Sequence, residues 1–193
     1  MKFLKHRAFA VIVGSLWLAG VTAGFAFAWR YAGQPGTPAR EPVRSWPAQL
    51  PRPAGKAMLV MALHPGCPCS RASVSELEQL ISHCPGKFEG LLLFVPDAAG
   101  DSPQDSALWQ TASTLPGVVC RVDDTRLSAG TFGARTSGQV FLYDEAGALR
   151  FSGGITESRG HAGANAGRQA IEAFLLEGTP PAPSTPVFGC ALP

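Results

Sequence analysis

The chain has 193 residues, room for one ordinary domain and an appendage. Its 16 basic and 14 acidic side chains nearly balance, which argues against a nucleic-acid partner; much of the basic charge lies before residue 53. Five cysteines are too few for a disulfide scaffold and make no CxxC pair of the zinc-ribbon kind, while the 17 prolines gather toward the two ends as linker and tail.

Residues 1–30 read as a membrane anchor or uncleaved signal. Lys2, Lys5 and Arg7 precede an uncharged run over 8–29, and Arg30 closes it. As a helix that run is about 33 Å long, enough to cross a bilayer core. Ala26-Phe27-Ala28 has the small-x-small form of a cleavage site, but the run is longer than the apolar core of most signal peptides, which favours the anchor. Either way the remaining chain is expected outside the cytoplasm; as an anchor, the run tethers it by a single pass on the periplasmic side of a bacterial-type inner membrane.

Residues 31–55, rich in Pro, Gly and Arg and without an apolar period, are expected to form an extended, semi-rigid tether. AMLVMAL at 57–63 has the pattern of a buried strand and breaks at His64-Pro65-Gly66. A helix is expected over 70–83, with Val74, Leu77, Leu80, Ile81 and Cys84 on one face. Ser73 and Glu76 are spaced for a capping box near its start, and Pro85-Gly86 ends it. A second buried strand is read at 90–95. Ser102-Pro103 then opens a helix that carries Leu108, Trp109 and Ala112 and stops at Pro116-Gly117. A short strand at 118–122 is followed by a hairpin, 139–143 and 148–151, around Asp144-Glu145-Ala146-Gly147. Asn165 is placed to cap a last helix, in which Ile171, Phe174 and Leu175 make one face and Gly178 marks the end. The tail, 179–193, is Pro-rich until the apolar VFGCAL, through which it is expected to dock. This order predicts an α/β domain over 56–178, with parallel central strands and an antiparallel pair.

The segment that carries chemistry is Leu63-His64-Pro65-Gly66-Cys67-Pro68-Cys69-Ser70, where a strand gives way to a helix. A thiol there meets unpaired amides and the positive end of the helix dipole, which favour thiolate over thiol. Pro68 bends the chain between the two cysteines, and a Cys67–Cys69 disulfide would close a small ring that is readily reduced. His64 is placed to stabilise a Cys67 thiolate or to ligate a metal, or it simply caps the strand end. Cys67 is expected to be the exposed, reactive thiol and Cys69 its covered partner. Arg159, His161 and Arg168 belong to a polar, glycine-rich loop and the helix after it. Among Cys84, Cys120 and Cys190 one disulfide is expected, with one thiol left over.

VVCRVDDTRLSAGTFGARTSGQVFLYDEAGALRFSGGI at 118–155 resembles the second half of membrane-anchored thioredoxin-like proteins of the TlpA type. HPGCPCS followed by ASVSELEQL, with the terminal VFGCAL, is similar to the RedB-like branch. The resemblance implies a thioredoxin-like central mixed sheet flanked by helices. It places Cys69 on the second cysteine of the WCGPC pattern and Pro68 on its proline, with Cys67 on the glycine and Gly66 on the first cysteine. The family's cis-proline, which abuts the disulfide and helps bind the substrate backbone, falls on Gly138, with Ser137 before it. The loop holding Arg159 and His161 is implied to extend beside the cysteines.

Three functions follow. The first is thiol-disulfide exchange through Cys67 and Cys69, with a disulfide-containing protein or a membrane-bound reductant as partner and no cofactor required. The second is binding of copper or a similar soft ion by Cys67, Cys69, His64 and His161. The third is a non-catalytic adaptor that keeps the fold as a scaffold.

Overall fold

A strand that is apolar at seven consecutive positions has no face to offer water and belongs at the centre of a covered sheet. The computed structural model describes residues 2–96, 102–180 and 184–193; part of the Pro-rich tail, 181–183, lies outside them. In it β1 (Ala57–Leu63) is buried throughout. It runs parallel to β2 (Phe88–Phe94) on one side and antiparallel to β4 (Gln139–Tyr143) on the other. β3 (Val118–Val122) continues the parallel half and β5 (Leu149–Gly153) the antiparallel half, giving the order β3-β2-β1-β4-β5.

Because side chains alternate along a strand, β1 feeds two cores. Leu59, Met61 and Leu63 meet Val74, Leu77 and Leu80 of α2 (Pro68–His83) and Ile171 of α5 (Ala166–Glu177). α3 (Ala107–Ala112) completes this layer through Leu108 and Ala112. It starts later than expected, because Pro103–Asp105 forms a short 3₁₀ turn and Ser106 is the residue that caps the Trp109 N–H. α5 has the expected ends: Asn165 accepts from the Arg168 N–H at 2.8 Å, and Gly178 takes the left-handed conformation at φ 72°.

On the opposite face Met58, Val60 and Ala62 meet Phe132, Phe141 and Tyr143. That face carries one short helix, α4 (Leu127–Gly130), and is covered mainly by the segment expected to be a tether. Residues 35–50 hold no helix and no strand of the sheet, and bend at Glu41 and turn at 48–50, but they are fastened to the domain. Arg40 N–H donates to Gly133 O (2.8 Å), Tyr143 Oη to Val43 O (2.9 Å) and Trp46 N–H to Gly147 O (2.7 Å). Ala39, Val43, Trp46 and Leu50 pack on the second core, and Trp46 meets Tyr143 edge-on at 5.3 Å. An aromatic pair of this geometry contributes about 0.5–1.5 kcal/mol beyond its burial. The apolar residues among the prolines are too irregularly spaced to show a period, and they serve as a strap.

Residues 1–34 form a separate unit. Its helix α1 (Lys2–Ala32) contains a stretch, Phe9–Ala32, of 24 residues and mean hydropathy 1.9, long and apolar enough to cross a membrane.

Candidate active site

β1 ends at Leu63, and the chain must turn sharply to enter α2. Two bonds to one carbonyl hold the turn: His64 O accepts from the Cys67 N–H at 3.1 Å and from Ser70 Oγ at 2.8 Å. Pro68 occupies the first helical position, where a missing N–H costs nothing and a fixed φ is pre-organised. The helix therefore starts at 68, not 70. The expected capping box is absent: Ser73 Oγ donates to Cys69 O within the helix, and Glu76 serves elsewhere.

Cys67 is thus the N-cap residue, with its sulfur among the first amide groups of α2. Burial pushes its thiol up, but hydrogen bonds from the Cys190 side chain and the N–H groups of Cys190, Cys69 and Ser70 overcome that and leave it below the ordinary thiol value. Cys69 moves the other way. Burial raises it first, then the charge on Cys67 and a hydrogen bond to that sulfur, against the Gly160 N–H and the Arg159 guanidinium. From the sequence Cys67 is expected to be reactive because it is exposed, and the structure removes that reason. Cys67 is not exposed; it is 3 % accessible, against 6 % for Cys69.

What covers Cys67 is the end of the chain. Val187 and Phe188 are buried, and the tail lies along residues 135–137 as an added antiparallel bridge. Ser137 N–H donates to Cys190 O and Leu192 N–H to Arg135 O, both at 2.9 Å. The Cys190 N–H itself donates to Cys67 Sγ at 3.3 Å. Gly189 has no alternative here, since a Cβ would drive into the Ser137 carbonyl. The disulfide expected among Cys84, Cys120 and Cys190 is not formed: all three are free thiols, and Cys190 belongs to this site. Burial and the adjoining Cys67 sulfur push its thiol up to about 12.

The start of β4 is tied to the cysteine turn by two buried hydroxyls. Ser137 Oγ accepts from the His64 N–H at 2.8 Å and lies 2.7 Å from Ser70 Oγ. Gly138, at the position the resemblance gives to a cis-proline, has φ 89° and donates its N–H to Ala62 O. A side chain there would collide with Ser73 Oγ, so close approach and backbone angle both require glycine. No cis peptide bond is present among the described residues.

His64 contributes its backbone: among the described residues no hydrogen bond joins its imidazole to either sulfur. His161 is exposed, with Nδ1 against Arg159 O at 2.9 Å, and Arg168 turns to Glu76 and Glu172. Arg159 does reach the site, where its Nη1 donates to Gly189 O at 2.8 Å. The loop carrying it is pinned from beneath by Glu76, 2 % accessible, which accepts from Gly163 N–H, Asn165 Nδ2 and Arg168 Nε. The spacing of Glu76 from Ser73 points only to a capping role, and no local signal marks its hold on the loop. No group of three or more His, Cys, Asp or Glu able to hold a metal ion occurs among the described residues, so the proposed ligands Cys67, Cys69, His64 and His161 are not assembled as a set.

A helix follows the central strand, the cysteines stand at its N-terminus, and an antiparallel pair completes the sheet beside them. The fold is thioredoxin-like. No family profile and no curated protein matches the chain. Among solved structures it is similar to an uncharacterized conserved protein from Geobacillus kaustophilus, with 19 % identity, TM-score 0.58, and 83 % of this chain and 92 % of that one covered. A hypothetical protein from Sinorhizobium meliloti 1021 is as similar, with 19 % identity, TM-score 0.58, and 82 % and 93 % covered. The exposed lipoprotein thioredoxin of Streptococcus pneumoniae matches at 19 % identity and TM-score 0.44, over 64 % of this chain and 85 % of that one. At such identities the likeness extends to fold alone.

Proposed function

We propose that this chain carries out thiol-disulfide exchange, with Cys67 as the attacking thiol and Cys69 as its partner in the Cys-Pro-Cys motif. One observation carries the reading: Cys67 stands at the N-cap position of α2 and its sulfur accepts from the Cys190 N–H at 3.3 Å, and its thiol is held below the ordinary value despite its burial. A thiolate at a helix N-terminus attacks disulfides, and a second thiol two residues on can close the exchange. Within the thioredoxin-like class, HPGCPCS and VFGCAL favour the TlpA-type, RedB-like branch. In this reading α1 tethers the domain to a bacterial inner membrane, with the domain in the periplasm and a disulfide-containing protein or a membrane-bound reductant as partner. The helix bears on the tether by its length and apolarity. A copper-handling reading asks for further ligands around Cys67 and Cys69, and the described residues offer no such set.

The test is reduction of oxidised glutathione or insulin by the pre-reduced full chain in detergent. Turnover that disappears in Cys67→Ser and survives in Cys120→Ser supports the reading; turnover unaffected by Cys67→Ser contradicts it. Retention of the chain in the membrane fraction after alkaline washing is expected, and release of a soluble mature form would refute the tether.

A further inference from the structure

The cysteine motif accounts for two of the sulfurs at the site, yet three are present. We propose that Cys190 is a third redox thiol, which forms a disulfide with Cys67 in competition with Cys69. The proposal rests on the reading of the site as one of thiol-disulfide exchange.

Cys190 comes from a segment far away in the chain, and four contacts hold that segment against the site. Val187 O accepts from Gly36 N–H at 2.7 Å, and Gly189 O from Arg159 Nη1 at 2.8 Å. Cys190 O accepts from Ser137 N–H and Arg135 O from Leu192 N–H, both at 2.9 Å. Their combined effect is to aim residue 190 at Cys67: its N–H donates to Cys67 Sγ at 3.3 Å. A tail that needed only to bury Val187 and Phe188 has no use for that contact.

Cys69 is the less free of the two partners. It already lies inside α2, one residue past the proline that starts the helix, so a Cys67–Cys69 bond closes a small ring against helical backbone. A Cys67–Cys190 bond joins two separate segments and closes no such ring. The electrostatics treat the two partners alike: after burial, the charge on Cys67 helps hold both the Cys69 and the Cys190 thiol protonated. Once Cys67 is in a mixed disulfide, that charge is gone and Cys190 is freer to ionise.

The step balances. The Cys67 thiolate attacks a disulfide RS–SR′, the S–S bond breaks and R′S⁻ leaves. Cys190 then attacks Cys67 Sγ, a Cys67–Cys190 bond forms, and RS⁻ leaves with the proton given up by Cys190. RS–SR′ is reduced by two electrons, and the pair Cys67 and Cys190 is oxidised by two.

Oxidised glutathione added to the reduced full chain in detergent tests this, with adducts and disulfides mapped by mass spectrometry without reduction. In Cys69→Ser the glutathione adduct on Cys67 should be transient and yield a disulfide linking the motif to the tail. In Cys69→Ser/Cys190→Ser the adduct should persist at least tenfold longer. Gly189→Val in the Cys69→Ser background keeps the thiol but unseats the tail, and should prolong the adduct similarly. Equal adduct lifetimes in Cys69→Ser and the double variant, with no Cys67–Cys190 disulfide, would overturn the proposal and leave exchange at Cys67 standing. No adduct on Cys67 in the double variant would overturn both.

Discussion

Cys67 and Cys120 lie at strands two places apart in one sheet, both partly or wholly withdrawn from water, and their thiols are pushed in opposite directions. On β3 burial acts alone and raises Cys120 to about 11. At the start of α2 burial is also the largest influence, but hydrogen bonding to the sulfur, with the Cys190 N–H at 3.3 Å, reverses the outcome. Burial thus makes a thiol inert unless donors come with it. A strand supplies none to a side chain, because its amides lie in the plane of the sheet and its side chains stand out of that plane; a helix N-terminus has amides to spare.

The sharpest way to break the comparison is substitution of the sulfurs themselves. Cys67→Ser should lower disulfide reduction by roughly a hundredfold or more, since the hydroxyl that replaces the thiolate is no nucleophile toward sulfur. Cys120→Ser should leave the rate within about twofold, as expected of a residue remote from the chemistry.

Next in size is the support under the site. Glu76 is buried and bonded to Arg168 Nε at 2.7 Å and to Asn165 Nδ2 at 2.9 Å. Glu76→Ala should cost about 2–4 kcal/mol in denaturant unfolding, because the Gly163 N–H and Asn165 Nδ2 both lose a buried acceptor, while Arg168 keeps Glu172. It should also loosen the loop that brings Gly160 N–H and Arg159 to Cys69. A cost under about 1 kcal/mol would show that solvent replaces the network, as it does for surface pairs.

Ser137→Ala should cost less, about 1–3 kcal/mol, for the His64 N–H that loses its partner. The same change should raise the rate at which Cys67 is alkylated, as the turn and the tail above it loosen; an unchanged rate would place the control of access elsewhere.

The smallest effect is on stability against pH. Cys67 ionises in the folded chain before it would in the unfolded one, so between its lowered folded value and the ordinary thiol value the unfolded state holds more protons. Its contribution is complete above the ordinary value and lost as pH falls through the folded one. Cys120 has the opposite sign: its contribution is complete below the ordinary value and lost as pH rises through about 11. Unfolding free energies of wild type, Cys67→Ser and Cys120→Ser across this range should show the two slopes removed separately.

The sheet was legible because its strands announce themselves: AMLVMAL is apolar at every position, and Asn165 and Gly178 bracket α5 with cap chemistry. The cysteine turn was legible for the same local reason. What escaped was built from contacts distant in sequence. Nothing in the spacing of Trp46 or Val43 says that a proline-rich segment straps the second core, and nothing local to Glu76 says that it holds a loop nearly ninety residues on. The exposure expected of Cys67 failed because the covering segment lies 123 residues away, although an apolar VFGCAL ending a polar tail did signal that the tail docks.

The most direct measurement is the alkylation rate of each cysteine as a function of pH in the reduced full chain, read by peptide mapping with isotope-coded reagents. The account predicts that labelling of Cys67 rises to its plateau below the range of an ordinary thiol, while Cys69, Cys190 and Cys120 follow only at higher pH. Cys67 titrating together with Cys120, or after it, would contradict the claim that donors at the start of α2 make this sulfur the attacking one.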